Sequence, residues 1–206
     1  MTGLNLGRAG VAFVMASLLA AATATAQNAT PVRVRGTIAS LNGQDLVVAS
    51  REGSPIAIKL AADYAVTAVV KADMSDVTVG KFVGIAALPQ GSEPEKAIEV
   101  LVFPEAARGS NEGHYAWDLT PESMMTNATI AEAVDKVEGR TLTLKHKDGE
   151  NRITVPKDVP IVTFAPGDRS LLVAGAGVMV PAAKQPDGTM TAGRILVGKD
   201  GVKPPM

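Results

Sequence analysis

The side chains with the most varied chemistry are concentrated in one stretch near the middle of the chain. Residues 104–126 contain the only tryptophan, one of the two histidines and one of the two tyrosines. Aromatic rings offer an apolar platform and polar neighbours orient a ligand on it, which is the composition of a shallow binding site. The candidate ligand-binding residues are Arg108, Glu112, His114, Tyr115, Trp117 and Asp118.

The same stretch also has a structural interpretation. Tyr115 and Trp117 are two residues apart, so both side chains lie on one face if the segment is extended. There they would pin residues 104–126 against a neighbouring domain, or fill the gap between two domains. The sequence leaves both interpretations open.

A metal site is a further alternative. It would use Glu112, His114 and Asp118, with two following methionines as soft ligands. Structural zinc requires four good donors, and the second histidine, His146, lies between two lysines in a predicted exposed hairpin. The identity of any metal therefore stays unknown, and no cofactor is predicted.

Catalytic motifs are missing from the sequence. It contains no G-x-S-x-G and no H-E-x-x-H. Gly80-Lys81 resembles the end of a phosphate-binding loop, but Phe82 stands where that loop needs Ser or Thr to hold magnesium. His114 could act as a general base, but nothing nominates a nucleophile. No catalytic residue is assigned, and an enzymatic role is not favoured.

Composition and charge exclude other classes of protein. The 206 residues include 20 Lys plus Arg and 21 Asp plus Glu, a formal net charge of −1. Proteins that bind nucleic acid use basic clusters to displace counterions from phosphate, so no nucleic-acid partner is predicted. The absence of cysteine excludes thiolate nucleophiles, disulfides and Cys-ligated metal centres.

The first 26 residues are typical of a signal peptide. Arg8 precedes an apolar run at 11–22, which is short for a membrane span but suits the core of an export signal. Small residues at Ala24 and Ala26 satisfy the A-x-A rule for cleavage before Gln27. We expect a periplasmic or secreted protein after cleavage near Ala26, with no membrane span in the rest of the chain.

The remainder of the sequence is interpreted as a duplication. Residues 41–48 match 137–144 at an offset of 96, and weaker matches continue downstream. A period of this length indicates repetition of a whole small domain rather than of a solenoid unit. The predicted domains are 31–103 and 127–198, with a linker at 104–126 and a tail at 199–206.

Both predicted domains have the pattern of an all-β fold. Apolar Val32, Val34 and Ile38 alternate with polar residues, so that Arg33 and Arg35 are assigned to a solvated face. Asn-Gly, Glu-Gly and Asp-Gly pairs punctuate the strands as turns. Residues 73–77 and 168–172 are predicted as short helices or turns, and 127–137 is assigned to a strand despite its partly helical spacing.

About five short strands in each domain favour a small closed barrel, which leaves no free sheet edge. The predicted fold is two tandem OB-like five-stranded β-barrels. Because so small a barrel is marginally stable alone, we expect the two to pack together or the protein to form a homo-oligomer.

Several stretches carry a resemblance to a known family. They are 103–109 (FPEAARG), 112–118 (EGHYAWD), 125–129 (MTNAT) and 198–206 (GKDGVKPPM). With them the chain resembles an uncharacterised family of exported alphaproteobacterial proteins with tandem OB-like domains, whose members sometimes carry the label metal ABC transporter permease. A permease needs several spans of about 20 apolar residues, which residues 27–206 do not contain.

The favoured function is a non-catalytic periplasmic binding or scaffold protein. Its partner would be an envelope protein or a small ligand, contacted through residues 108–125. The first alternative is a metal- or small-ligand-handling accessory protein centred on His114 and Trp117. The second is a hydrolase acting on an envelope polymer.

Overall fold

The computed structural model describes residues 29–137 and 139–204, which form an all-β protein. The strands are β1 (Thr30–Asn42), β2 (Asp45–Ser50), β3 (Pro55–Lys71), β4 (Phe82–Gln90), β5 (Glu93–Val102), β6 (Gly113–Ala116), β7 (Met124–Lys136), β8 (Gly139–His146), β9 (Gly149–Pro156), β10 (Ile161–Pro166), β11 (Gly177–Lys184) and β12 (Met190–Gly198). Short 3-10 helices lie at Met74–Asp76, Glu105–Ala107 and Arg169–Leu171. Within the described ranges no helix has the length and apolarity needed to cross a membrane. The predicted signal peptide, residues 1–26, lies outside the described residues.

The first barrel is a closed ring of five strands. β1, β2 and β3 form an antiparallel meander, and β11 lies antiparallel beside β1. This is the Greek-key order, in which a returning strand lies beside the first. β12 closes the ring by pairing antiparallel with β11 and parallel with β3. The predicted five-stranded β-barrel class is confirmed.

A second ring has the same order of pairing. β7, β8 and β9 form the meander, β4 lies antiparallel beside β7, and β5 pairs with β4. A short parallel contact between β5 and β9 closes it. β10 then continues along β5 in the same parallel sense. β9 ends at Pro156 and Pro160 directly precedes β10, and neither proline has an N–H to offer a neighbouring strand.

Strand exchange between the two halves of the chain is the main departure from the sequence prediction. The first barrel takes β1–β3 from one half and β11–β12 from the other, while the second takes β4–β5 and β7–β9. The barrels therefore do not coincide with the predicted domains 31–103 and 127–198. The reason lies in β3, whose 17 residues extend roughly 55 Å. Its last five residues, Thr67–Lys71, pair with β10 on one edge, while Thr67–Val69 still pair with β12 on the other. β10 in turn pairs with β5 of the second barrel, so β3 extends from one barrel towards the other before β4 begins.

Three apolar clusters hold this arrangement together. One fills the first barrel and includes Leu46, Ile58 and Ile195, and another fills the second barrel around residues such as Leu142 and Ile153. The third lies at the seam between the barrels. Its buried members are Val69, Ala86, Leu101, Met125, Val162, Met179 and Leu196. The barrels thus bury apolar side chains against each other, as the marginal stability of a small barrel requires.

Candidate ligand-binding cavity

Most of the predicted linker is ordered as part of a β-hairpin. β6 pairs antiparallel with the start of β7, and the hairpin is extended by a hydrogen bond from the Trp117 N–H to the Ser123 carbonyl. The Ser123 hydroxyl donates to the Trp117 and Thr120 carbonyls and accepts from the Thr120 N–H. These hydrogen bonds within the turn stabilise its conformation. β7 begins at Met124, inside the predicted linker 104–126.

The turn of the hairpin is attached to the first barrel through Asp118. Its carboxylate accepts hydrogen bonds from Arg35 at 2.7 Å and Arg33 at 3.3 Å, and its backbone carbonyl accepts from Arg51 at 3.1 Å. Burial raises the pKa of the Asp118 carboxyl, but the Arg35 hydrogen bond and the charges of Arg35 and Arg33 lower it, so that the pKa lies below its ordinary value. Asp118 therefore joins a hairpin of the second barrel to β1 of the first.

Arg35 is buried, although the alternation of β1 assigned it to a solvated face. Its side chain is only 7% exposed, while that of Arg33 is 40% exposed. The Asp118 carboxylate and the Trp117 ring lie over this part of β1 and contact both arginines. Strand alternation tells which residues face away from a barrel interior, but it cannot tell what packs onto the outside.

Replacing Asp118 by Asn is expected to destabilise the protein by about 0.5–1 kcal/mol at pH 7, a value reduced for the partial exposure of this carboxylate. The pKa of Asp118 is lower in the folded protein than in the unfolded chain, where it is about 3.9. The stabilisation by the ionised carboxylate is therefore fully present above the unfolded-state pKa, and it is lost as the pH falls through the folded-state pKa. The difference in unfolding free energy between wild type and Asp118→Asn should thus be constant from pH 7 to 5 and shrink below about pH 4. Urea unfolding at several pH values measures it.

Asp63→Asn provides the control for this experiment. Asp63 is exposed and makes no ion pair among the described residues. Its replacement should change the unfolding free energy by less than about 0.5 kcal/mol. Equal losses for Asp118→Asn and Asp63→Asn at pH 7 would contradict the attachment inferred for the hairpin.

Trp117 lies between the hairpin and the arginines of β1. The Arg33 guanidinium carbon is 3.9 Å from the centroid of the indole ring, a cation–π contact. Tyr115 packs edge-on against the same ring, with centroids 6.0 Å apart. Both rings contact the seam cluster. The structural interpretation of these two aromatics, that they fill the gap between domains, therefore agrees with their position.

The two rings also line a cavity, which we call the seam cavity, of about 440 Å³. This volume is in the range of small-molecule sites. Its walls come from both barrels and from β10. The lining residues are Arg33, Phe103, Ala107, Ser110, Asn111, Tyr115, Trp117, Met125, Asn127, Phe164, Met179, Pro181, Arg194 and Leu196. Phe103 and Phe164 meet edge to face with centroids 5.9 Å apart, so four aromatic side chains converge on one cavity that also has polar walls.

Polar groups at the seam cavity are held in fixed orientations. The Asn127 amide nitrogen donates to the Ser110 and Asn111 carbonyls and to the Tyr115 hydroxyl oxygen, 3.0–3.2 Å away. Burial raises the pKa of Tyr115, although the Arg33 charge lowers it, so the hydroxyl is protonated at neutral pH and keeps a proton to donate. The indole N–H of Trp117 is buried and has no hydrogen-bond partner among residues 29–137 and 139–204.

His114 lies apart from the seam cavity and contacts the second barrel. Its Nδ1 is 2.9 Å from the Thr126 hydroxyl and its Nε2 is 3.6 Å from a Glu95 carboxylate oxygen. Its ring stacks on that of His146, with centroids 6.4 Å apart. Because His146 Nδ1 accepts from the Asp148 N–H, its Nε2 carries the proton and donates to Asn151. His146, predicted to be solvated, is in fact half-buried.

Arg108 and Glu112 also lie outside the seam cavity. Arg108 pairs with Glu105 and donates to the Gly80 carbonyl at 2.9 Å and the Thr129 hydroxyl at 3.3 Å. It thereby fastens the segment after β5 to the second barrel. Glu112 is half-buried, and its N–H donates to the Gly109 carbonyl. Of the six candidates named from the sequence, only Tyr115 and Trp117 line the seam cavity.

Ser110, Asn111 and Met125 lie within the predicted contact segment 108–125, but the remaining residues of the seam cavity were not predicted. Aromatic residues make up 3% of the chain, and this scarcity was the available signal for Phe103 and Phe164. Arg194 lies in β12, a strand assigned from its apolar residues alone, and nothing in the sequence relates it to Arg33.

No protein-family model, curated protein or solved structure matches the chain. Across 29–137 and 139–204 no group of three or more His, Asp or Glu side chains is placed to hold a metal ion.

Proposed function

We propose that the protein is a non-catalytic binding protein of the periplasm and that its ligand is a small organic molecule held in the seam cavity. One observation carries the proposal: four aromatic side chains, in a chain poor in aromatics, converge on a cavity of about 440 Å³ between two barrels. An aromatic or aliphatic ligand group placed there would lose its contact with water, which is the main source of affinity for apolar ligands.

Two parts of the proposal come from the sequence. Residues 1–26 have the features of a signal peptide, which supports a periplasmic location. The match between 41–48 and 137–144 supports an origin by duplication of one domain. If the domain was duplicated, the strand exchange joins the two repeats into one folded unit, and the cavity at their seam would be a property of the pair.

The proposal is tested with three probes that share a naphthalene ring: 1-naphthalenesulfonate, 1-naphthalenemethanol and 1-naphthylmethylammonium. The protein carries ¹³C-methyl methionine, so that Met125 and Met179 report from the seam cavity and Met190 reports from outside it. We expect at least one probe to shift the Met125 and Met179 signals with saturation, while the Met190 signal stays in place.

A matched pair of variants localises the binding. Ala107 lines the seam cavity, and its neighbour Ala106, in the same 3-10 helix, is exposed and does not. Ala107→Phe should occupy part of the cavity and weaken probe binding at least about tenfold, a loss of about 1.4 kcal/mol. Ala106→Phe should leave it unchanged. If no probe shifts the Met125 and Met179 signals, or if both variants behave alike, the proposed function is wrong.

A further inference from the structure

The ionisable side chains at the seam cavity are strongly biased in charge. Among the described residues that line it, Arg33 and Arg194 carry positive charge and none is Asp or Glu. The bias is local, because the whole chain has a formal net charge of −1. The two guanidinium groups share a concave site with four aromatic side chains, where their charges are screened less than in open solvent.

The two arginines differ in the contacts that they already make within the protein. Arg33 already contacts the Asp118 carboxylate and the Trp117 ring. Arg194 is exposed and makes no ion pair or hydrogen bond with any side chain in the described part of the chain. Its guanidinium is therefore free to bind a ligand without first breaking a contact within the protein.

A hydrogen-bond donor at the cavity adds to this bias. The Tyr115 hydroxyl, on a residue that lines the cavity, has a proton left after accepting from Asn127. Asn127 Oδ1 is a buried acceptor without a partner in the described part of the chain, but it packs against β4, since a Cβ on Gly84 would lie 2.6 Å from it. A ligand oxygen can therefore accept a hydrogen bond from Tyr115.

We propose that the ligand of the seam cavity is an amphipathic organic anion. Its aromatic or aliphatic body packs among the rings of Phe103, Trp117 and Phe164, and its carboxylate, sulfonate or phosphate group contacts Arg194 and Arg33. This inference rests on the proposed function, and it adds the chemical class of the ligand.

The three naphthalene probes test this inference because they share a ring system and differ in charge. Dissociation constants are measured by calorimetry at low salt and at 0.5 M NaCl. We expect 1-naphthalenesulfonate to bind about tenfold or more tightly than 1-naphthalenemethanol, the difference expected for one charge-assisted hydrogen bond. The cationic 1-naphthylmethylammonium should bind most weakly, and salt should weaken only the anion.

Variants of Arg194 connect the charge preference to the seam cavity. Arg194→Met should weaken the sulfonate about tenfold and leave the alcohol unchanged, and Arg194→Lys should restore part of the loss. Arg152→Met is the matched control, since Arg152 is exposed on β9 and does not line the cavity. Because both arginines are exposed, neither change should alter the unfolding temperature by more than about 2 °C.

The outcomes separate the two proposals. If all three probes bind with similar affinity at the seam cavity, the binding function holds and the anion preference is wrong. If the sulfonate binds best but Arg194→Met and Arg152→Met weaken it equally, the preference comes from overall charge and the assignment to Arg194 is wrong. If no probe binds at the cavity, the proposed function itself fails.

Discussion

Cutting the chain between Gly109 and Ser110 is expected to give two fragments that do not fold as monomers but combine into one complex. The fragment 29–109 contains β1–β5, and the fragment 110–204 contains β6–β12. Each has three strands of one barrel and two strands of the other, so neither fragment alone can close a ring with the observed pairings. A separated fragment would expose the side chains that fill both barrels, such as Leu46 and Val100.

The measurement is equilibrium unfolding of each fragment, alone and in an equimolar mixture, followed by circular dichroism and analytical ultracentrifugation. We expect no cooperative transition from a monomer of either fragment, and a cooperative transition from a one-to-one complex in the mixture. A homodimer of 29–109 would agree with the prediction, because it would also use exchanged strands. Full-length protein cleaved after folding between Gly109 and Ser110, both exposed, is the control for the cut and should stay associated.

A folded monomer of 29–109 would contradict this expectation. It would mean that β4 and β5 can close a barrel on their own β1–β3, as the domain boundaries predicted from sequence require. The strand exchange would then be a property of the complete chain and not a requirement for forming a barrel. Hydrogen exchange on the same fragment would locate the new pairing, since β4 amides would be protected by β1 instead of by β7.

Gly36→Ala is expected to destabilise the first barrel strongly. Gly36 lies in β1, where it is paired with Ser50 on one side and Val178 on the other. A Cβ at this position would be 2.1 Å from the Ala49 carbonyl oxygen. The clash is with backbone, so no side chain can rotate away from it. The strands must separate locally, at a cost of about 3 kcal/mol or more.

Gly193→Ala is the matched control for this substitution. A Cβ on Gly193 would meet no atom within 4 Å, and the residue also lies in a strand of the first barrel. Its replacement should change the unfolding free energy by less than about 0.5 kcal/mol. Urea unfolding of both variants measures the difference. Equal stability of Gly36→Ala and Gly193→Ala would show that β1 and β2 are not held as closely as the structure places them.

Short-range features of the fold were accessible from the sequence because they depend on neighbouring residues. Alternation of apolar residues predicted β1 and β2, and the Asn-Gly pair at Gly43 predicted the turn between them. In the structure Gly43 has a φ of +60°, which glycine adopts without strain. The segments 73–77 and 168–172 contain the predicted short helices. β7 is a strand, as the match between 41–48 and 137–144 indicated.

The candidate site was only partly accessible for the same reason. Tyr115 and Trp117 stand out in a sequence with few aromatics, and both line the seam cavity. His114 stood out equally, but it lies with His146 and Glu95 on the second barrel. Residue type identified the side chains that are able to bind a ligand, but their proximity in the sequence did not indicate which of them share a site.

Only the tertiary structure decided which strands complete which barrel and where the cavity lies. β1 and β7 each begin a three-stranded meander and each offer a free edge to a further strand, so pairing preferences between neighbouring strands cannot choose which of β4 and β11 pairs with which. The choice depends on the path of β3, whose last residues pair with β10, and on the burial of side chains at the seam. These are contacts between residues distant in sequence. The same contacts bury Arg35 beneath Trp117 and Asp118 and bring Arg194 to the cavity that Arg33 lines.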